Sequence, residues 1–151
     1  MSENDDLRIA ASIKAIPIGK SARYRREVTA DLIKLYAEVS GDFHRLHVDE
    51  DYAKSTPYER RIAHGSLLVG FMSTASTALS EVIEEETGCA NVSLGYDRLR
   101  FIAPVFVDDV IDTDISVTEL LPDRGRALCA VTCKNQAGEV VAVAQHLMRF
   151  I

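Results

Sequence analysis

The sequence predicts an α+β domain in which a strongly curved antiparallel β-sheet wraps around one long α-helix. Apolar residues recur at helical spacing over residues 66–85, and segments with the two-residue alternation of β-strands follow after residue 88. A chain of 151 residues that is 47% hydrophobic has enough apolar material for one such core. We therefore predict a single domain over residues 11–151, preceded by a flexible tail over residues 1–10.

The first part of the chain predicts short elements on either side of a polar loop. Residues 21–28 are expected to form a strand, and Thr29 is a suitable N-cap for the helix that follows. The apolar face of that helix comprises Leu32, Ile33, Leu35, Tyr36 and Val39. Gly41 then stands where glycine commonly ends a helix. The loop GDFHRLHVD comes next, and a short polar helix near residues 50–55 ends before Pro57.

The second part predicts the long helix and the sheet. The helix over residues 66–85 has an apolar face formed by Leu68, Phe71, Met72, Ala75, Leu79, Val82 and Ile83. Further on, apolar and polar residues alternate from Ile111 to Val117, and the turn sequences LPDRGR and NQAGE separate later strands. Three or four long antiparallel strands are therefore expected after one long helix.

Composition excludes several functions and suggests a compartment. A net charge of -6 argues against a nucleic-acid surface, which needs a basic patch. The start MSENDDLRIA has no signal-peptide pattern, and no segment is apolar enough for a membrane anchor. Cys89, Cys129 and Cys133 are interpreted as small core residues in a reducing compartment. We expect a cytoplasmic protein.

The segment GDFHRLHVDE gathers two of the four histidines with several carboxylates and admits three interpretations. It could be a zinc site, with His44 and His47 joined by Asp42 or Asp49 and by His64, although Arg45 between the histidines disfavours a cation. It could be a solvated loop. It could also be an acid–base pair of Asp42 and His47, in a loop held to the core by inward-pointing Leu46 and Val48.

A second segment favours the acid–base pair. RIAHGS places His64, Gly65 and Ser66 at the start of the long helix, whose first backbone N–H groups have no helical partner. Those N–H groups and the helix dipole can hold a developing oxyanion. An acid–base pair that faces such a helix start suits enolate chemistry on a carbonyl or a thioester.

Three segments together resemble the MaoC-like dehydratases, the (R)-specific enoyl-CoA hydratase group of the hotdog fold. They are YAEVSGDFHRLHVDEDYA, RIAHGSLLVGFMS and LRFIAPVFVDDVI. In that family the loop usually reads SGDxNPxHxDxxxA, a helix opens with AHG, and a strand ends in FxxPVxxGD. The resemblance implies one long helix packed in a curved antiparallel sheet, as the patterns predict independently. It also implies reversible syn addition of water to a trans-2-enoyl thioester of coenzyme A or of a carrier protein.

The resemblance further implies roles for individual residues. Asp42 and His47 would be the catalytic pair, Gly65 would supply the oxyanion N–H group, and Ser66 would line the site beside it. We add His64 and His44 as candidate substrate-binding residues. His44 and Arg45 stand where the family has Asn-Pro, so a branched or dicarboxylic acyl group becomes a possible substrate, with Arg45 meeting its carboxylate.

Cofactor, partners and alternatives complete the prediction. No metal and no cofactor are expected, because the thioester itself acidifies Cα. Hotdog domains usually pair through their sheets, so a homodimer or a dimer of dimers is expected. Two other functions stay open, a non-catalytic acyl-thioester-binding protein and a thioesterase. The thioesterase is disfavoured because the long helix begins SLLVGFMSTAS, without the carboxylate that such enzymes usually carry there.

Overall fold

The computed structural model describes residues 3–151, where five strands form one antiparallel sheet. The strands are β1 (Ser21–Glu27), β2 (Asn91–Phe101), β3 (Val110–Leu121), β4 (Arg126–Lys134) and β5 (Val140–Phe150). Their order across the sheet is β1–β3–β4–β5–β2, so β1 and β2 are its edges. The predicted α+β class is confirmed, and β3, β4 and β5 form the expected meander of sequential neighbours.

The long helix α5 (Leu67–Thr87) packs against the sheet and contacts β1, β2, β3 and β4. Its buried side chains are Leu67, Leu68, Phe71, Met72, Ala75, Ser76, Leu79 and Ile83. This is the predicted face except for Val82, which is exposed. The helix ends at Gly88, whose left-handed φ of 67° lets its N–H donate to the Glu84 carbonyl. No helix within residues 3–151 is both long and apolar enough to cross a membrane.

The prediction of a flexible tail over residues 1–10 is wrong for the described part of that segment. Helix α1 (Glu3–Ala15) begins the structure and buries Ile9 and Ile13 against the core. Its Ser12 hydroxyl donates to the Thr87 carbonyl at 3.4 Å, which ties the helix to the end of α5. Isoleucines four residues apart lie on one helix face, and this apolar spacing outweighs the acidic composition of the first residues.

Helix α2 (Ala30–Ser40) begins and ends as the sequence predicts. The Thr29 hydroxyl accepts a hydrogen bond from the Leu32 N–H at 3.1 Å. At the other end Gly41 has a φ of 77°, and its N–H donates to the Ala37 carbonyl. The chain therefore turns sharply immediately before Asp42.

The predicted irregular loop contains a helical turn, α3 (Arg45–Val48), before the expected short helix α4 (Glu50–Lys54). Both begin on a side-chain cap. His44 Nδ1 accepts from the Leu46 N–H at 3.2 Å, and the Asp49 carboxylate accepts from the Tyr52 N–H at 2.9 Å. These caps make the loop an ordered structure.

The segment that leads into α5 is anchored to the chain between β2 and β3. The Ala63 N–H donates to the Val105 carbonyl at 2.7 Å, and Ile62 forms an isolated antiparallel bridge with Phe106. This anchorage fixes where α5 begins relative to the end of β2.

The three cysteines are free and buried, as predicted for core residues. Burial raises the pKa of the Cys129 thiol to about 12 and also raises the pKa of Cys133. Both thiols therefore stay protonated at neutral pH and serve as small apolar side chains.

Candidate active site

Asp42 is exposed and is held by three hydrogen bonds. Its N–H donates to the Ser40 hydroxyl at 3.2 Å, and its Oδ1 accepts from the His44 N–H at 3.1 Å. Its backbone carbonyl accepts from His64 Nε2 at 2.9 Å. Oδ2 receives no hydrogen bond from residues 3–151 and is available to a water or a substrate.

His47 is half-buried, and its ring orientation is fixed by the backbone of Ile62. Nδ1 lies 2.8 Å from the Ile62 carbonyl, and a carbonyl can only accept, so Nδ1 carries the hydrogen. Neutral His47 therefore presents Nε2 with a free lone pair. Desolvation is the main cause that lowers the pKa of His47, nearby His64 and His44 lower it further, and the Ile62 hydrogen bond and Asp42 oppose them. A lowered pKa keeps His47 in the base form at neutral pH.

His64 lies beneath His47, with only 1% of its surface exposed. The two ring centroids are 3.9 Å apart and the rings are inclined by 31°, while the Tyr36 ring lies 5.0 Å from His64 on another side. Nitrogen or oxygen atoms of Asp42, His47 and His64 all lie within 4.8 Å of one another. The structure therefore brings the predicted acid–base pair together and adds a buried second imidazole.

His44 does not line the cavity beside this cluster, although its ring centroid is 6.0 Å from that of His47. Its Nδ1 caps α3, so His44 supports the turn that carries His47. Arg45 likewise points elsewhere: Nε and Nη2 donate to the Asp49 carboxylate at 3.1 and 3.0 Å. The Arg45 guanidinium also lies 4.3 Å from the Tyr52 ring centroid, a cation–π distance.

The expectation that Leu46 and Val48 both point inward is wrong for Val48. Leu46 is half-buried, but Val48 is 37% exposed. The turn is held mainly by polar contacts, because the Ile62 N–H donates to the Leu46 carbonyl at 3.3 Å and His47 donates to Ile62 in return. One backbone hydrogen bond and one hydrogen bond from the His47 imidazole thus supplement half-buried Leu46 as the anchor of the turn.

Gly65 stands at the start of α5 in a position that only glycine fits. A Cβ atom there would lie 2.7 Å from Cδ2 of Phe101. Within residues 3–151, neither the Gly65 N–H nor the Ser66 N–H donates to a protein acceptor. Ser66 itself is exposed, and its hydroxyl does not cap the helix. The positive end of the helix dipole is therefore open to a ligand at these N–H groups.

A cavity of about 250 Å³ joins these groups. His47, His64 and Gly65 form its polar end, and the remaining lining residues are Tyr58, Ile62, Ala63, Leu68, Phe101, Ile102, Ala103, Pro104 and Val105. No lysine, arginine, aspartate or glutamate in the described chain lines it. Asp42 and Ser66 lie outside the lining, with Asp42 beside His47. The cavity is an apolar slot that ends on imidazole nitrogens and a helix start.

A model of the MaoC like domain family matches residues 14–141 of this chain. The chain belongs to the MaoC-like family. It is 36% identical over 137 residues to an (R)-specific enoyl-CoA hydratase of Rhodospirillum rubrum, a match that covers 91% of this chain and 89% of that protein. It is 31% identical over 135 residues to a 3-hydroxybutyryl-CoA dehydratase of Methylorubrum extorquens, covering 89% and 80%.

Solved structures agree with this membership. The MaoC-like domain superposes on an (R)-hydratase from A. caviae, described as involved in PHA biosynthesis, with a TM-score of 0.77 at 28% identity. That match covers 90% of this chain and 98% of the other. An R-hydratase from Pseudomonas aeruginosa gives a TM-score of 0.75 at 31% identity, with 90% and 83% covered. The hotdog fold expected from the sequence is thereby confirmed.

The same cluster in this MaoC-like domain contains residue types that ligate zinc, but its geometry differs from that of a metal site. Two imidazoles that share a metal direct ring nitrogens at it edge-on. His47 and His64 instead lie almost face to face, and each already donates one N–H to a backbone carbonyl. The arrangement fits proton transfer better than metal binding.

Two contributors to the MaoC-like site were not singled out from the sequence. Phe101 packs on Gly65, and the Ile62 carbonyl selects the tautomer of His47. The motif FIAP that contains Phe101 could have pointed to the first. No sequence signal identifies a backbone carbonyl.

Proposed function

We propose that this protein catalyses the reversible hydration of a trans-2-enoyl-CoA to a 3-hydroxyacyl-CoA. The observation that carries the proposal is an apolar cavity whose polar end holds His47 and Gly65, with Asp42 beside His47, in a MaoC-like chain. The relatives named above support the (R) configuration of the product. A thioesterase finds no support in α5, whose first turn carries no acidic residue.

His47 and Asp42 would divide the proton chemistry. Water that is hydrogen-bonded to His47 Nε2 and Asp42 Oδ2 loses a proton to the pair while its oxygen forms a bond to Cβ. The Cα–Cβ π electrons move toward the thioester and form an enolate. One member of the pair then delivers a proton to Cα, which restores the starting protonation state of the enzyme. Addition of oxygen and proton from one face is the syn course.

The negative charge of the enolate would lie at the start of α5. The thioester oxygen accepts a hydrogen bond from the Gly65 N–H, which has no protein acceptor in the described chain. The Phe101 ring against Gly65 excludes water from one side of this oxyanion position. Because the thioester acidifies Cα, we propose that the reaction needs no cofactor.

The cavity lining favours an uncharged acyl chain. Beyond the polar end, the lining contacts are apolar, apart from the Tyr58 ring with its hydroxyl. Three arginines close in sequence to the site residues have other partners: Arg45 binds Asp49, Arg61 binds Glu50 at 2.9 Å, and Arg60 lies 3.7 Å from the Phe106 ring centroid. A dicarboxylic acyl group would bury its charge without a cation, at a high desolvation cost.

We also propose a homodimer that forms along β2. Within residues 3–151 this edge strand pairs only with β5, and it exposes Val92, Leu94 and Phe101. A second copy adding to the edge would satisfy its free backbone groups and cover these side chains. Phe101 also lines the cavity, so the interface would lie beside the substrate. Three free buried cysteines support a reducing, cytoplasmic setting.

The test is hydration by the purified protein of crotonyl-CoA and of mesaconyl-CoA, followed by loss of enoyl-thioester absorbance and by chiral analysis of the product. We expect hydration of crotonyl-CoA to the (R)-3-hydroxy product, with mesaconyl-CoA a much poorer substrate. A protein that binds both thioesters and hydrates neither would be the non-catalytic binder. Preference for mesaconyl-CoA would overturn the assignment of an uncharged chain.

A further inference from the structure

Three parts of the active site meet at one buried side chain, His64. It lies immediately before Gly65, at the start of α5. Its Nε2–H donates to the Asp42 carbonyl at 2.9 Å, and its ring stacks on His47 at 3.9 Å between centroids. The acid–base pair and the oxyanion position are thus connected through a single residue.

The bond to His64 is the one that fixes Asp42 relative to the rest of the site. The other two hydrogen bonds of Asp42 go to Ser40 at the end of α2 and to His44 just before α3, each two residues from Asp42 in the sequence. Those local bonds shape the turn but do not tie it to the start of α5. Among the described residues, only His64 bonds Asp42 to the core beneath it.

The ring of His64 also limits the movement of His47. His47 is hydrogen-bonded on one edge to Ile62, and its flat face rests on His64. Tyr36 of α2 contacts His64 from another side, at 5.0 Å between centroids. His64 borders the cavity but is only 1% exposed, so it offers a substrate far less surface than the half-buried His47, and its Nδ1 has no hydrogen-bond partner in the described chain.

We propose that His64 is a positioning residue that holds Asp42 and His47 at the separation needed for proton transfer and acts through them, not on the substrate. The proposal rests on the proposed hydratase function of the same site. It replaces the expectation that His64 binds the substrate or the oxyanion. The position requires a buried planar ring that both donates a hydrogen bond from Nε2 to the Asp42 carbonyl and stacks on His47 through its face. The imidazole of His64 meets both requirements.

The electrostatics of His47 give the proposal a measurable signature. The charged or titratable groups around His47 are Asp42 from the loop after α2, His44 from the start of α3, and His64 from the start of α5. His64 contributes to lowering the pKa of His47, after desolvation and against the opposing Ile62 hydrogen bond. Replacing His64 by a neutral ring of similar size removes that contribution, so the pKa of His47 should rise.

Two variants separate the contributions of the ring and the donor. His64→Phe keeps the stacked ring and removes the hydrogen bond to Asp42, whereas His64→Gln keeps an N–H donor and removes the ring. For His64→Phe we expect kcat for crotonyl-CoA to fall roughly 10- to 100-fold, the effect of a small misplacement, with little change in KM. His64→Gln should retain more kcat than His64→Phe. In an Asp42→Asn background, His64→Phe should cost nothing further.

Histidine NMR titration provides a readout that does not require activity. The pKa of His47 should rise in His64→Phe, with the buried His146 as an internal reference. An unchanged His47 pKa together with an unchanged kcat would overturn the proposal. So would a loss of activity that only follows a loss of folded protein. If His64→Phe does not fold, the same comparison is made with His64→Gln. Its loss of kcat should be smaller in the Asp42→Asn background than in the wild type. If the wild type hydrates no enoyl-CoA, the proposed function fails, while the titration still tests the coupling.

Discussion

Two histidines in this molecule, half-buried His47 and fully buried His146, both have a lowered pKa but differ in what their nitrogens do. His146 in β5 is fully buried, with Nδ1 3.3 Å from the Ser76 hydroxyl and Nε2 2.8 Å from the Ser93 hydroxyl. Burial lowers the pKa of His146 to about 4, and no charged group contributes to that shift. His47 also has a lowered pKa, yet it keeps one nitrogen free beside Asp42 and a cavity.

The difference shows that burial and a shifted pKa do not by themselves identify a catalytic histidine. His146 has both nitrogens occupied and a Tyr96 ring 4.8 Å away, so it serves packing and cohesion between α5, β2 and β5. His47 has one nitrogen fixed by a carbonyl, which leaves the other for chemistry. A free, oriented lone pair next to a carboxylate distinguishes the two.

The largest expected effect comes from removing each of the two histidines, or Asp42, by mutation and comparing the loss of activity with the loss of stability. His47→Ala and Asp42→Asn should each lower kcat/KM for crotonyl-CoA by about 10²–10⁴-fold, because general acid–base catalysis is lost. Their unfolding temperatures should change little, since both positions are partly or fully exposed. His146→Ala should instead lower the free energy of unfolding by about 2–4 kcal/mol. Steady-state kinetics and thermal denaturation distinguish them, and full activity in His47→Ala would contradict the assignment.

The next effect tests the backbone part of the catalytic region. Gly65→Ala should reduce kcat by about 10²–10³-fold, the range for losing an oxyanion donor, because its Cβ would meet Phe101 and displace the helix start. A double variant Gly65→Ala with Phe101→Ala relieves the clash and should recover part of that loss. Alanine at exposed Gly70 of α5, where a Cβ meets nothing within 4 Å, is the matched control. Equal activity of the two single variants would remove Gly65 from the mechanism.

Lowering the pH should affect folding stability through His146 and catalytic activity through His47. The pKa of His146 is about 4 in the folded state, below the ordinary histidine value of 6.5 expected in the unfolded chain, so unfolded chains bind more protons between these two pH values. Its contribution, roughly 3 kcal/mol, is complete above pH 6.5 and is lost as the pH falls toward 4. Denaturant titrations at several pH values should show this loss, and His146→Gln should flatten it. The activity of the wild type depends separately on neutral His47.

The smallest expected effect concerns the unusual Arg45. Arg45→Gln should leave KM for crotonyl-CoA unchanged, because the guanidinium pairs with Asp49 and Tyr52 outside the cavity. The exposed pair with Asp49 should contribute little to the free energy of folding, because solvent screens it. Kinetics with crotonyl-CoA and mesaconyl-CoA provide the check. A selective loss of activity on the dicarboxylic substrate would restore Arg45 as a specificity residue.

The sequence predicts most of the fold, because its dominant patterns are local. Helical spacing in α5, alternation in β3 and the cap at Thr29 all act within a few residues. The errors occur where long-range packing decides. Helix α1 was missed because two isoleucines, Ile9 and Ile13, outweigh an acidic segment only when a core is present to receive them.

The candidate site divides in the same way. Asp42, His47 and Gly65 were predicted from residue type and order, and their catalytic roles stay predictions. The function of His64 could not be derived, since it depends on a bond to a carbonyl 22 residues away and on ring stacking. The same holds for the contact between Phe101 and Gly65, which exists only once β2 and α5 are assembled.

The packing of α1 has a practical consequence for handling the protein. Ile9 and Ile13 are buried in the core, and the Ser12 hydroxyl donates to the Thr87 carbonyl in the final turn of α5. A chain shortened by its first ten residues would leave Ile13 without its helical neighbour and expose apolar surface to water. Such a truncation would favour aggregation in concentrated samples.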